Sequence, residues 1–303
     1  MNNAFEIIDH ERFRPYLVAN AQIELLHRGA RWAEGPVWIA DMQALLWSDV
    51  PGNRMLRWVE GQPASVFREN SNNANGNSRD REGRLLTCEH GGRRVIRIEH
   101  DGTTTVLADR FEGKRLNSPN DLVVKSDGTI WFTDPDYGIL SDYTGEKATS
   151  EIGRNCVFRL DPATGALSIA TDTLDKPNGI AFSPDETILY IADSGGTHRR
   201  GGPHDIIAFD VRENGTLGGR RVFAEISPGV PDGFRVDEDG NIWTSAADGV
   251  HCLTPDGALI GKIRIPEVVA NVEFGGRQRS RLFITATDAL YAVYVGTRGA
   301  VKR

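Results

Sequence analysis

The chain has 303 residues, 39% hydrophobic and 25% charged, with a formal net charge of −7, a balance ordinary for a soluble globular protein and poorly suited to a nucleic-acid surface. No apolar run approaches the roughly 18 residues needed to span a bilayer. The opening "MNNAFEIIDHERFRPY" has no basic start followed by an apolar core, so no membrane association, no signal peptide and a cytoplasmic location are expected.

Residues 9–20 are the one helical candidate, and Pro15 limits it. Residues 1–22 read as an N-terminal extension packed on the main body of the chain, and residues 1–303 as one domain. A recurring unit then begins. It consists of a polar anchor, an apolar strand, a turn rich in Asp, Pro or Gly, and a second apolar strand. The copies are "AEGPVWIADMQALLWSD", anchored at Glu34, "ANGNSRDREGRLLTCEH" at Asn75 and "SPNDLVVKSDGTIWFTD" at Asn120. They continue as "PNGIAFSPDETILYIAD" at Asn178, "PDGFRVDEDGNIWTS" at Asp232 and "ANVEFGGRQRSRLFITA" near Asn271. The gaps of 41, 45, 58, 54 and 39 residues are those of propeller blades or arrays. Thirty-three glycines, 14 prolines and frequent Asp-Gly and Asn-Gly turns fit short strands, and sustained helical periodicity is absent. Six units of about four strands predict an all-β, six-bladed β-propeller. Cys88, Cys156 and Cys252 fall in or beside strand-like runs and are expected to be buried free thiols.

Blade geometry places the anchors. Each precedes the innermost strand of its blade, so all six ring the central channel at one mouth. Loops starting at Asp49, Glu89, Asp134, Asp193 and Ala246 rim that mouth; two are long, 134–155 and 193–205, and the first is a candidate lid or pocket wall. Glu34, Asn120, Asn178 and Asp232 offer oxygen donors from four blades with a charge of −2. Two readings are open. One is a hard divalent cation in the channel. Calcium fits best, with magnesium or manganese as alternatives and zinc less suited to an all-oxygen site. The other is turn capping by the same residues. The loop "CEHGGRRV" brings Glu89, His90 and Arg93 to the same mouth as candidate substrate contacts, with a solvated charged turn as the alternative. Asn75 and Asn117 are further candidates there, and Asp121 is expected to orient the site from behind. No P-loop, dinucleotide fingerprint, nucleophile elbow or HExxH spacing competes.

The segments "WAEGPVW", "DREGRLLTCEHGGRRVIR", "GKRLNSPNDLVVKSDGTIWFTDPDYGI", "PNGIAFSPDE" and "PDGFRVDEDGNIW", in this order, resemble the SMP-30/gluconolactonase/LRE-like family, and most its bacterial gluconolactonase branch. The resemblance spans about residues 23–295. It implies a propeller with a divalent cation in its central channel, held by Glu34, Asn120, Asn178 and Asp232. It also implies hydrolysis of a sugar lactone, gluconolactone-like, to the aldonic acid. Asp232 would then be both ligand and general base, with Glu89 and His90 in reserve. The alternatives are another ester or phosphotriester hydrolase on the same cation, or a non-catalytic calcium-stabilised binding propeller.

Overall fold

The computed structural model describes residues 4–300. Six antiparallel sheets of four or five strands follow one another along the chain. Their innermost strands are Ala33–Ile39, Ala74–Arg79, Leu122–Val124, Pro177–Phe182, Phe234–Val236 and Val269–Gly275. Each packs against the next, and the sixth packs against the first. The result is the six-bladed propeller expected from the repeat. The sixth blade takes its outer strand from the other end of the chain: Glu24–Arg28 pairs with Ala289–Tyr294. Phe5–Ile7 adds a fifth strand to blade five, along Leu259–Arg264.

The helix expected over 9–20 is one turn, His10–Phe13, followed by a 3-10 turn at Arg14–Tyr16. Asp9 starts it by accepting the Arg12 amide at 3.1 Å. Pro15 removes a donor, and Phe13, fully buried 6.3 Å from the Trp243 ring, fixes the chain on blade five. Residues 1–3 of the expected extension lie outside the described residues.

The apolar layers between blades are set by the second strands. Trp47, Trp131 and Trp243 are all fully buried. The indole of Trp131 donates to Thr129 at 3.0 Å and that of Trp243 to Asp237 at 2.9 Å, so both large apolar surfaces are buried with their polar atom satisfied. The three cysteines are buried and free.

The anchors do not all precede their strands. Four lie inside them, at a bulge. Pairing slips by one residue between Glu34 and Val37, between Ala74 and Asn77, between Pro177 and Ile180, and between Val269 and Asn271. A bulge turns a side chain that would lie along the blade. The glycines after the anchors have a steric cause. A Cβ on Gly35 would lie 2.0 Å from the Asn75 carbonyl oxygen, one on Gly76 2.4 Å from that of Asn120, and one on Gly179 2.2 Å from that of Asp232. Two of these contacts carry hydrogen bonds between blades: Gly76 N to Asn120 O at 2.7 Å and Gly179 N to Asp232 O at 3.0 Å. Gly233 N continues the ring to Ala270 O at 2.7 Å.

A second repeated device holds the entrance to these strands. The acidic residue ending the second strand accepts amides from the segment entering the first. Asp49 takes Arg31 N at 2.8 Å, Asp134 takes Asn117 N and Ser118 N at 2.8 Å each, and Asp193 takes Lys176 N at 2.9 Å.

Replacing Gly179 by alanine tests the close approach. Gly179→Ala is expected to cost about 2–3 kcal/mol of stability in urea unfolding, the scale of overpacking at a site that cannot relax.

Candidate functional site

The bulges and the Gly contacts bring Glu34, Asn178 and Asp232 together. The side chains of Glu34 and Asp232 are within hydrogen-bonding reach of each other, and the Asn178 amide also bonds Asp232. Glu34 is buried. Its Oε2 accepts Gly35 N at 2.9 Å and the Asn271 amide at 3.4 Å, and the Trp32 side chain also bonds it. Asp232 is half-buried. Its own amide donates to Ser245 Oγ at 2.8 Å. Burial first, then the neighbouring carboxyls, push both acids up. Glu34 rises to about 7, and Asp232 rises well above the usual carboxylate range.

Asn120 joins through a separate contact. His90 Nε2 lies 3.1 Å from Asn75 Nδ2 and 3.5 Å from Asn120 Nδ2, while its Nδ1 lies 3.2 Å from the Thr144 carbonyl. Burial lowers the His90 pKa to about 4, so the ring is neutral at ordinary pH. Asn75, Asn120 and Asn178 are each buried.

Asp121 adds a third carboxylate. Its Oδ1 accepts Leu122 N at 2.8 Å, its Oδ2 lies 3.8 Å from Arg235 Nη1, and its charge raises both Glu34 and Asp232. Arg235 spends its Nε on Glu273 at 2.7 Å.

Two sequence candidates have their polar groups engaged elsewhere, and in a third, Arg93, Nη2 is buried without a hydrogen-bond partner among the described residues. Glu89 is fully buried, with Oε1 on Arg68 at 2.8 Å and Oε2 on Arg94 at 2.6 Å. It occupies the second-strand end that Asp49, Asp134 and Asp193 hold in other blades, but it binds side chains, Arg68, Arg94 and the Asn72 amide, where those accept backbone amides. Asn117 is closed on all sides: its amide donates to Arg154 O at 2.9 Å and its Oδ1 accepts Ser150 Oγ at 2.6 Å. Arg93 braces the segment entering blade three, with Nε 2.7 Å from the Leu116 carbonyl and 3.1 Å from that of Asn117.

The long loop after Asp134 straps the mouth. It holds a one-turn helix, Tyr137–Leu140. On one side its backbone rests on His90 and Ser118: a Cβ on Gly138 would lie 2.7 Å from the Cβ of each. On the other side Asp136 pairs with Lys176, the Tyr137 hydroxyl lies 3.4 Å from Thr197 Oγ1, and the Tyr137 ring is 5.4 Å from His198. The Tyr137 hydroxyl pKa is raised, by burial first and in part by the charge of Asp232. Sequence reading marked this loop as a candidate lid but passed over Tyr137, whose signal was an aromatic in a long loop.

The donor set fits a divalent cation. Among the described residues, neither Glu34 nor Asp232 forms an ion pair with an Arg, Lys or His, so the buried Glu34 and the half-buried Asp232 face each other with Arg235 acting on Glu34 only at longer range. Nor do three or more His, Cys, Asp or Glu side chains form a metal cage among the described residues. The oxygen donors here are two carboxylates flanked by amides, a set that suits a hard cation with flexible geometry.

Comparison with known proteins places this geometry in context. A gluconolactonase from Zymomonas mobilis is 32% identical over 95% of this chain and 86% of its own length. A pentonolactonase from Haloferax volcanii is 30% identical over 84% and 81%. The structure of a gluconolactonase from Xanthomonas campestris superposes with a TM-score of 0.89 at 39% identity, covering 97% of this chain and 95% of that one. The profile of the SMP-30/gluconolactonase/LRE-like region matches residues 32–288, and the chain belongs to that family.

Proposed function

We propose that this protein is a lactonase that opens sugar lactones, gluconolactone among them, at a divalent cation held in the channel by Glu34, Asn120, Asn178 and Asp232. The observation that carries this is the facing pair of acids, Glu34 and Asp232, with no ion-pair partner among the described residues, beside the buried amides of Asn120 and Asn178. Relatives named gluconolactonase and pentonolactonase support the substrate class. Calcium suits two carboxylates and two neutral amides best.

When bound, the cation would supply electrophilic polarisation of the lactone carbonyl. The rest belongs to the chain. Glu34 is fixed by Gly35, Asn271 and Trp32 and serves as a rigid ligand. Asp232 is more accessible, and Ser245 holds its backbone. It is the acid a water can reach, and it takes the proton as that water adds to the carbonyl. The 134–155 strap excludes bulk water from the mouth, and Tyr137 and Asn75 line the approach as candidate contacts for ring hydroxyls. Asp121 sits behind Asn120 and tunes the field.

Chelator treatment should abolish acid release from gluconolactone, and calcium should restore it. Asp232→Asn at saturating calcium should recover the cation but remain at least about 100-fold slower than wild type, because an amide cannot take the proton. Full recovery of rate would remove the base assignment.

The raised acids set a pH dependence. Glu34 holds its proton more tightly folded than unfolded, so without the cation its contribution to stability is complete below about 4.5 and is lost as pH rises through about 7. The thermal midpoint of the chelated protein should therefore fall between pH 5 and pH 8 through this group. A cation must displace those protons, so calorimetric affinity should tighten over the same range, with proton release on binding. A pH-independent affinity would show that neither acid is a ligand.

A further inference from the structure

The His90 ring has both nitrogens committed. The Thr144 carbonyl can only accept, so the Nδ1 beside it at 3.2 Å carries the hydrogen. The amide nitrogens of Asn75 and Asn120 can only donate, so the Nε2 they face at 3.1 and 3.5 Å is the lone-pair nitrogen. The strap fixes that tautomer, since Thr144 is one of its residues, and the strap backbone at Gly138 presses against the His90 Cβ. With 2% of its surface exposed, the imidazole has no free edge to offer a substrate.

An asparagine amide has two chemically different ends. Rotation by half a turn replaces a carbonyl oxygen, which binds a cation, by an NH2 group, which repels it. Holding the NH2 end holds the oxygen end. We infer that His90 is a positioning residue: its Nε2, set as an acceptor by the strap, grips the amide NH2 groups of Asn75 and Asn120 and turns their carbonyl oxygens into the channel. Its role rests on the cation reading of the site proposed above, and it makes closure of the strap a condition for a correctly oriented ligand amide.

Three variants separate this from a chemical role. In His90→Gln the Oε1 replaces Nε2 as acceptor without an ionisable ring. His90→Asn keeps a donor for Thr144 but ends short of the two amides. His90→Ala keeps neither. Calcium affinity of each folded, chelator-stripped protein is measured by calorimetry without substrate, followed by kcat and KM on gluconolactone. Positioning predicts that His90→Gln stays within about threefold of wild type in affinity and kcat, whereas His90→Asn and His90→Ala lose about 10- to 100-fold in affinity, the scale for groups that orient ligands. Excess calcium should return most of the lost kcat. Unchanged affinity in all three, with kcat lost equally in Gln and Asn, would overturn the inference in favour of proton transfer by the ring. Unchanged affinity and unchanged kcat in all three would overturn it outright. If the wild type bound calcium but opened no lactone, the proposed activity would fail, while the affinity order of the variants would still decide the role of His90.

Discussion

Everything at the channel depends on how closely one innermost strand can approach the next. The Cβ positions of Gly35, Gly76 and Gly179 lie within 2.4 Å of a carbonyl oxygen on the following blade, so any side chain there would push the blades apart. The same contacts let backbone hydrogen bonds run from blade to blade, as from Gly76 to Asn120 and from Gly179 to Asp232. The bulge at the anchor is the other half of the device. It turns the residue before the glycine into the axis while the strand beyond resumes regular pairing. A ring narrow enough to gather ligands from four blades is thus a property of the backbone before it is one of the ligands.

That narrowness has an electrostatic cost. Asp121 raises the proton affinity of Glu34, and Glu34 and Asp121 together raise that of Asp232, while Arg235 divides its charge among Glu273, Asp121 and Glu34. Fully buried Trp47, Trp131 and Trp243, with the carboxylate ties at the strand entrances, hold the blades in place around this repulsion. The scaffold stabilises an arrangement that an isolated set of acids and amides would relax away from. Such pre-organisation is what a binding or catalytic centre needs from its fold.

The blade count and the strand pattern were legible because each repeat carries its own turn chemistry. The anchors were legible as a set for the same reason. What the repeat could not do was separate scaffold from site. Glu89 stands out beside His90, yet it lies at the strand end that Asp49, Asp134 and Asp193 hold in other blades, and both of its oxygens are taken by arginines. An acid recurring at one blade position signalled architecture. His90 has no histidine at the equivalent place in the other blades, where Val50, Pro135, Ser194, Ala247 and Thr287 follow the second strand. The bulges were hidden because an extra residue in a strand leaves no mark on apolar alternation this short. For Asn117 and Arg93, sequence locates the residue on a loop but does not say which partners it will find. The helix over 9–20 stops after one turn because Pro15 removes a donor and Phe13 descends into blade five beside Trp243.

The sixth blade joins strands from opposite ends of the chain. Leu25 lies opposite Tyr291, so this pairing waits for all five intervening blades to be synthesised. Until then the ring is an open arc, and Glu24–Arg28 is a strand without its sheet. Contacts of such long sequence separation are slow to form, because the chain must lose its loop entropy before the pairing repays it. The strand carries Glu24, His27 and Arg28, polar and charged side chains of the sort that keep an unpaired edge from joining a neighbouring molecule. Closure is therefore the late, cooperative event of folding. Blades one to five acquire their final spacing around the axis only when the last strand of the chain meets one of the first.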